Sequence, residues 1–214
     1  MPFQVNKKHY EEQYENFQRF VSYFNQIHII KTLDPKSILE IGVGSKFLYR
    51  YLKSKNYDIT TADYDISLRP DIICDIRNNS FKSDSFDLVC AFEVLEHIPY
   101  EDALLALKEL RMVTKKYIVI SVPRSCAYFG FAFVFGLPIY YKILSFSLRF
   151  PFFFIDAIYG NKQHQWELGR KNYSIRRFIN DLKRLQFKVY KKYHVRFHTQ
   201  HYFIILEKCN NIYQ

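Results

Sequence analysis

Residues 38–45 read Ile38-Leu39-Glu40-Ile41-Gly42-Val43-Gly44-Ser45, and this stretch decides the fold class. A short apolar run that stops at a glycine is a buried strand forced to turn at its carboxyl end. Gly42 and Gly44 let the turn be tight and let a ligand come close to the main chain, because neither carries a Cβ. Helical spacing follows over 47–53. A strand, a glycine turn and a helix open a βαβ unit, whose ligands sit beyond the carboxyl ends of its strands.

Downstream, apolar runs predict strands over 58–62, 71–74, 86–92 and 117–122. A helix starts after Pro99, with Glu101 and Asp102 at the positive end of its dipole and Leu104, Leu107 and Leu110 as its core stripe. Ser174 is placed to cap a last helix that carries Ile175, Phe178, Ile179, Leu182 and Leu185 on one face. Strands over 187–197 and 202–206 follow, joined by the short stretch 198–201. Upstream, Tyr10, Tyr14, Phe17, Val21, Phe24 and His28 recur at helical spacing until Pro35 ends the helix. The expected fold is α/β, a mostly parallel sheet with one antiparallel strand. A single domain over 1–214 comprises an N-terminal helix (1–34), a cofactor-binding core (35–123), a hydrophobic insertion (124–168) and a C-terminal helix with β-hairpin (169–214).

Three strand ends bear the groups a nucleoside needs. Glu40, Gly42 and Gly44 close the first strand. Asp63 ends the second, where a carboxylate accepts both hydroxyls of a ribose. Asp75 ends the third, in reach of an adenine amino group, with Ile76 available to pack on the ring. The glycine turn reads G-V-G-S-K-F, with Lys46 where a further glycine is expected. The G-x-G-x-x-G of a nicotinamide dehydrogenase is not met.

In order, ILEIGVGS, ITTADYD, DIICDI and SFDLVCAFEVLEHI resemble the motifs of class I S-adenosylmethionine-dependent methyltransferases. The resemblance spans 35–123 and extends more loosely to the C-terminal helix and hairpin. It implies a Rossmann-like methyltransferase fold with a seven-stranded sheet, and S-adenosyl-L-methionine as cofactor. It also implies that Glu40, Gly42 and Gly44 hold the methionine moiety, Asp63 the ribose, and Asp75 with Ile76 the adenine. Glu93 would lie at the sulfonium edge. A non-catalytic protein on the same fold is the alternative.

Glu93, Glu96 and His97 place two carboxylates and an imidazole at the fourth strand end, a donor set for Mg²⁺, Mn²⁺ or Zn²⁺. The cluster resembles that of the ubiquinone-biosynthesis O-methyltransferases and the small-RNA ribose methyltransferases, in which a downstream histidine completes the site. Here His164 stands in that place. The expected metal set is therefore Glu93, Glu96, His97 and His164. Without a metal, His97 or His164 is the candidate general base. The plainer alternative is that these side chains only brace the strand end. His194, His198 and His201 are expected as hairpin residues.

Composition bounds the rest. Hydrophobic residues at 49% and charged residues at 24% describe a folded chain rather than a disordered one. The cysteines Cys74, Cys90, Cys126 and Cys209 form no C-x-x-C pair, which argues against a thiolate zinc site and a disulfide framework. The N-terminus is too polar for a signal peptide, so a cytoplasmic protein is expected. Of the net charge of +10, residues 161–214 carry all but one unit, with twelve basic and three acidic side chains.

Residues 125–141 are free of charge, and the apolar runs 143–148 and 150–155 follow, separated only by Lys142 and Arg149. Gly130, Gly136, Pro138 and Pro151 interrupt the stretch, which is short for a membrane span. It is read as extra core helices or a dimer interface, as a lipid-facing lid, or as a transmembrane hairpin. An apolar insertion with basic flanks favours peripheral attachment to an anionic membrane surface, at the inner face. The expected acceptor is small and apolar or lipid-linked, methylated at oxygen. The competing reading is an RNA methyltransferase that uses the basic C-terminal region on nucleic acid.

Overall fold

The computed structural model describes residues 14–137, 140–151, 163–196 and 200–209. Tyr10, residues 152–155 of the apolar run, and His198 lie outside them.

Helix α1 (Phe17–Leu33) is capped by Asn16, whose side chain accepts the Arg19 N–H at 3.0 Å; it ends at Asp34 in the left-handed region, just before Pro35. The core then alternates as expected: β1 (Ser37–Ile41), α2 (Phe47–Ser54), β2 (Asp58–Asp63), β3 (Ile72–Ile73), β4 (Phe86–Phe92), α3 (Tyr100–Val113) and β5 (Thr114–Pro123). After β6 (Cys126–Leu137) and β7 (Tyr140–Pro151) come α4 (Ile175–Arg184), β8 (Phe187–His194) and β9 (His201–Lys208).

Seven strands form one sheet in the order β3-β2-β1-β4-β5-β9-β8. β1 pairs in parallel with β2 and β4, β4 with β5, and β9 runs antiparallel to both β5 and β8. One strand is thus reversed, as the C-terminal hairpin required. Both faces are covered, which explains why the inner strands read as continuous apolar runs rather than alternating ones. Ile38, Ile59, Leu88, Val119 and Phe203 pack against Ile29 and Ile30 of α1 and Leu48 and Leu52 of α2. Leu39, Val89, Ile118 and Ile204 pack on the opposite face against Leu107 and Leu110 of α3 and Phe178 and Leu182 of α4. Strand order reverses between β1 and β4, so the crevice beyond their carboxyl ends is the place for a ligand.

Two expectations need correction. The strand over 71–74 shortens to Ile72–Ile73, because the Asp71 carboxylate instead accepts the Thr61 N–H and hydroxyl, each at 2.8 Å. His201 is a hairpin residue as expected, but it lies in a strand rather than in the link between the two. It opens β9 and is buried, with its backbone paired to Pro123.

Among the described residues, the insertion forms no core helices. Cys126–Leu137 and Tyr140–Pro151 make a two-stranded antiparallel hairpin apart from the main sheet, each strand twelve residues long. Gly130 fits there because a Cβ would lie 2.8 Å from the Phe146 carbonyl oxygen on the facing strand. Phe131, Phe133 and Phe135 are all more than half exposed. Among the described residues, no helix is long and apolar enough to cross a membrane.

Candidate functional site

The switch-point crevice is a cleft of about 490 Å³, and Glu40, Gly42, Asp63, Asp75, Glu93 and His97 all line it. Gly42 has φ +81°, and a Cβ on it would lie 2.4 Å from Val94 Cγ2. The glycine there is obligatory on both counts. Lys46 adopts φ 61°, the left-handed conformation a glycine would hold without strain, and its Nζ donates to the Arg69 carbonyl.

Asp63 ties two turns together. Its Oδ2 accepts the Val43 N–H and its Oδ1 the Asp65 N–H, each at 2.9 Å. Burial raises its carboxyl above the ordinary value, against the pull of those amide bonds. Asp65, two residues on, is also buried and lines the same cleft. Glu40 is buried at the base, and its Oε2 has no hydrogen-bond partner among the described residues. Burial, then repulsion from Asp63, pushes its pKa up to about 8.

Asp75 is half-exposed and gripped by its neighbour: the Arg77 Nε donates to Oδ1 at 2.9 Å and Nη2 to Oδ2 at 2.5 Å. That fork holds the Asp75 carboxyl below its usual value. Ile76 is buried in the core and faces the cleft beside it.

At the fourth strand end the chain brings Glu96, His97 and His164 together, with one donor atom from each inside a 4.8 Å sphere of mutual distances. Both histidine Nε2 atoms lie 4.0 Å from Glu96 Oε1, and their rings meet edge to face at 5.1 Å. Glu96 is fully buried, with neither carboxylate oxygen hydrogen-bonded among the described residues, and burial drives its pKa well above the ordinary range.

Packing explains how His164, sixty-seven positions downstream of His97, arrives there. The Gln165 N–H donates to the Glu96 carbonyl at 2.8 Å and the Gln165 side chain to the His97 carbonyl at 3.0 Å. Trp166, 1% exposed, donates its indole N–H to the carbonyls of Leu95 and Ile98. Each imidazole is then oriented from behind. His97 Nδ1 faces the Gln163 carbonyl at 3.3 Å and His164 Nδ1 faces Glu167 Oε1 at 2.8 Å, which turns both Nε2 atoms toward Glu96. Burial alone would raise the Glu167 carboxyl, but His164, Ser125 and Arg170 overcome it and hold it below its usual value.

Glu93 lies outside that group of three. Its Oε2 sits 3.2 Å from His201 Nε2, and His201 Nδ1 meets the Ser22 hydroxyl at 3.0 Å. Its φ of 55° marks a constrained position; the side chain is partly buried, and that desolvation pushes its pKa up to about 7. The expected four-residue set thus appears as three residues, with Glu93 turned to His201.

The profile of the family described as Methyltransferase domain matches residues 10–199. The chain belongs to that family. This methyltransferase also shares its fold with solved structures at low identity. One is the Burkholderia thailandensis 1,6-didemethyltoxoflavin-N1-methyltransferase with bound 1,6-didemethyltoxoflavin and S-adenosylhomocysteine: 13% identity, 90% of this chain, 78% of that one, TM-score 0.57. A second is the magnesium protoporphyrin IX methyltransferase of Synechocystis with bound S-adenosylmethionine: 10% identity, 98% of this chain, 100% of that one, TM-score 0.59. A third is an S-adenosylmethionine-dependent methyltransferase of Aquifex aeolicus: 12% identity, 96% of this chain, 100% of that one, TM-score 0.61. No curated protein matches the methyltransferase in sequence.

Sequence reading missed several residues of the methyltransferase site. Tyr23 reaches Ser45 through its hydroxyl at 2.8 Å, and Arg19 and Gln26 of α1 also line the cleft. The usable signal was the polar pair Ser22 and Gln26, four apart on the inner face of an otherwise apolar helix. Glu167 and Arg170 carry no motif, and only their contact with His164 and Ser125 reveals them.

Proposed function

We propose that this enzyme transfers the methyl group of S-adenosyl-L-methionine to an oxygen of a small apolar or lipid-linked acceptor. The donor supplies an electrophilic methyl on a sulfonium. The residues fit such a donor: a cleft of about 490 Å³, a glycine turn that admits no Cβ, and a buried Glu40 oxygen that has no hydrogen-bond partner among the described residues and is open to an ammonium. In this reading Glu40, Gly42 and Gly44 hold the methionine end and Asp63 supports the ribose, assisted by Asp65. Asp75 and Ile76 take the adenine once Arg77 releases one of the Asp75 carboxylate oxygens, and Glu93 borders the sulfonium.

His164, with His97 beside it, is the candidate base. Glu167 steadies His164 through Nδ1, leaving Nε2 to accept the acceptor hydroxyl proton. The oxygen pair then forms the bond to the methyl carbon as the carbon–sulfur bond breaks, its electrons remaining on sulfur. Glu96, His97 and His164 also suit a divalent cation, since the Glu96 oxygens are buried without hydrogen-bond partners among the described residues. Such an ion would lower the pKa of a hydroxyl held there.

The observation that carries the acceptor class is where the apolar hairpin springs from. Ser125, just before β6, donates its N–H to the Leu168 carbonyl and its hydroxyl to Glu167, the residue behind His164. An acceptor gathered along that hairpin would be led to the histidine pair, and acceptors of this kind belong at a membrane surface. The test supplies the enzyme with tritiated donor and a cell extract, then separates organic-soluble, aqueous and RNA fractions. Label in the organic fraction is expected; label in RNA would overturn the reading in favour of the basic C-terminal region.

A further inference from the structure

Directly opposed residues of an antiparallel pair share a face, and successive residues alternate. The register Phe129↔Leu148, Phe131↔Phe146 and Phe133↔Leu144 therefore gathers six bulky apolar side chains on one side of the β6–β7 hairpin. On the other side Gly130↔Ser147 and Ala132↔Ser145 set small side chains at the middle of the hairpin, between Tyr128↔Arg149 and Val134↔Ile143. The six bulky side chains remain 47–60% exposed. The middle of the hairpin is therefore one-sided, as the alternation Phe129-Gly130-Phe131-Ala132-Phe133 and Leu144-Ser145-Phe146-Ser147-Leu148 dictates once the chain is extended.

Its charges have one sign. Residues 124–151 contain Arg124, Lys142 and Arg149 and no acidic side chain. The Arg196 Nη1 adds a fourth cation, donating to the Ile143 carbonyl at 3.4 Å. A second copy of the hairpin laid on this face would bring Lys142 of each copy into the contact with no hairpin carboxylate to meet it, whereas Arg149 lies on the other face beside Ser147. An anionic bilayer answers both features, with acyl chains for the bulky face and headgroups for the cations.

We propose that β6–β7 lies flat on an anionic membrane, its Phe129–Phe131–Phe133 and Leu144–Phe146–Leu148 face among the upper acyl chains and its Gly130–Ala132–Ser145–Ser147 face toward water. The placement deepens the apolar-acceptor reading and rests on it for its purpose. Depth follows from the backbone. A two-stranded sheet leaves the N–H and C=O groups of both outer edges unpaired, and these are not tolerated in the hydrocarbon core. At the headgroup boundary water satisfies them. Lys142 shares the bulky face opposite Phe135, and its long stem lets the ammonium reach the headgroups.

The test uses the full chain with vesicles of phosphatidylcholine alone or mixed with phosphatidylglycerol. Binding is expected to the mixed vesicles, at least tenfold weaker to the neutral ones. The triple variant Phe131→Ser, Phe133→Ser, Phe146→Ser should lose at least thirtyfold, and Ala132→Ser less than threefold. Orientation is read with Phe133→Trp and Ser145→Trp and lipids brominated on the acyl chains. The first should be strongly quenched and the second no more than the buried Trp166 of the parent. Equal quenching of both, absence of vesicle binding, or a dimer in sedimentation that depends on the same phenylalanines would overturn the proposal. So would RNA binding that depends on them. Donor affinity, measured by calorimetry on each variant, separates the two readings. Intact donor binding without vesicle binding removes the membrane placement and leaves methyl transfer standing, and should the triple variant misfold, the tryptophan pair still decides.

Discussion

His164 Nδ1 lies 2.8 Å from Glu167 Oε1, and the same ring presents Nε2 to Glu96 Oε1 at 4.0 Å. A carboxylate behind an imidazole sets its tautomer and its ring orientation, whether the other nitrogen takes a proton or meets an ion. Glu167→Gln is therefore expected to lower the methyl-transfer rate 10–100-fold, the usual cost of such a partner. The KM for donor should be nearly unchanged. Steady-state kinetics with both substrates varied is the check, and a loss confined to donor KM would move Glu167 into the donor site.

The histidine pair leads to a second prediction. His97→Ala and His164→Ala should each abolish turnover while donor binding persists in calorimetry. If the cluster takes a cation, EDTA should remove activity, Mg²⁺, Mn²⁺ or Zn²⁺ should restore it, and Glu96→Gln should prevent the restoration. Full activity after exhaustive chelation would leave His164 as a general base alone.

Gly42→Ala tests the glycine turn. The φ of +81° costs an L-residue roughly 1–2 kcal/mol, and a methyl 2.4 Å from Val94 Cγ2 adds overpacking on the order of 1–3 kcal/mol. Thermal melts should show the loss, and Val94→Ala in the same chain should recover the packing part but not the backbone part.

Asp63→Ala is expected to weaken donor binding by about 1.5–3 kcal/mol, the scale of losing hydrogen bonds to a charged group. Because Asp63 also holds the Val43 and Asp65 amides, the variant should melt lower as well. Asp65→Asn should weaken the donor with little change in melting. Calorimetry and melting together distinguish the two acids.

Glu40 supplies a pH prediction. Its folded pKa, about 8, lies above the unfolded carboxyl value, so the folded state binds the extra proton between the two. Stability without donor is then full at low pH and falls as pH rises toward 8. Glu40→Gln should be nearly neutral at pH 5 and stabilising at pH 8, by on the order of 2 kcal/mol for a buried unpaired charge. A melting-temperature series of both proteins against pH is the measurement. Parallel curves would place Glu40 in contact with solvent or a cation.

The strand–turn–helix order was legible because burial on both faces makes the inner strands of a parallel sheet continuous apolar runs, and Gly42 and Pro99 punctuate them. The reversal of β9 was legible for a similar local reason: the link between the last two strands is too short for a crossover. Ser174 was readable as a cap because the cap bond to the Arg177 N–H is local. His201 was not readable, since its role depends on β9 pairing with β5 and on Ser22 from a helix 179 residues away. The insertion was read by its apolarity alone, although the period-two alternation of bulky and small residues over 129–133 and 144–148 was a strand signal.

By itself the sequence determined the α/β class, the turn at Gly42–Gly44 and the acids at the second and third strand ends, and its resemblance to known methyltransferases implied the pairing of His97 with a distant His164. These rest on local preference and on motif order, both carried along one dimension. Tertiary structure alone decided that Glu93 turns to His201 rather than joining Glu96, that Glu167 stands behind His164, and that β6 and β7 pair with each other apart from the main sheet. Each of those depends on which residues lie opposite across strands or docked segments, and that is settled by packing and register in three dimensions.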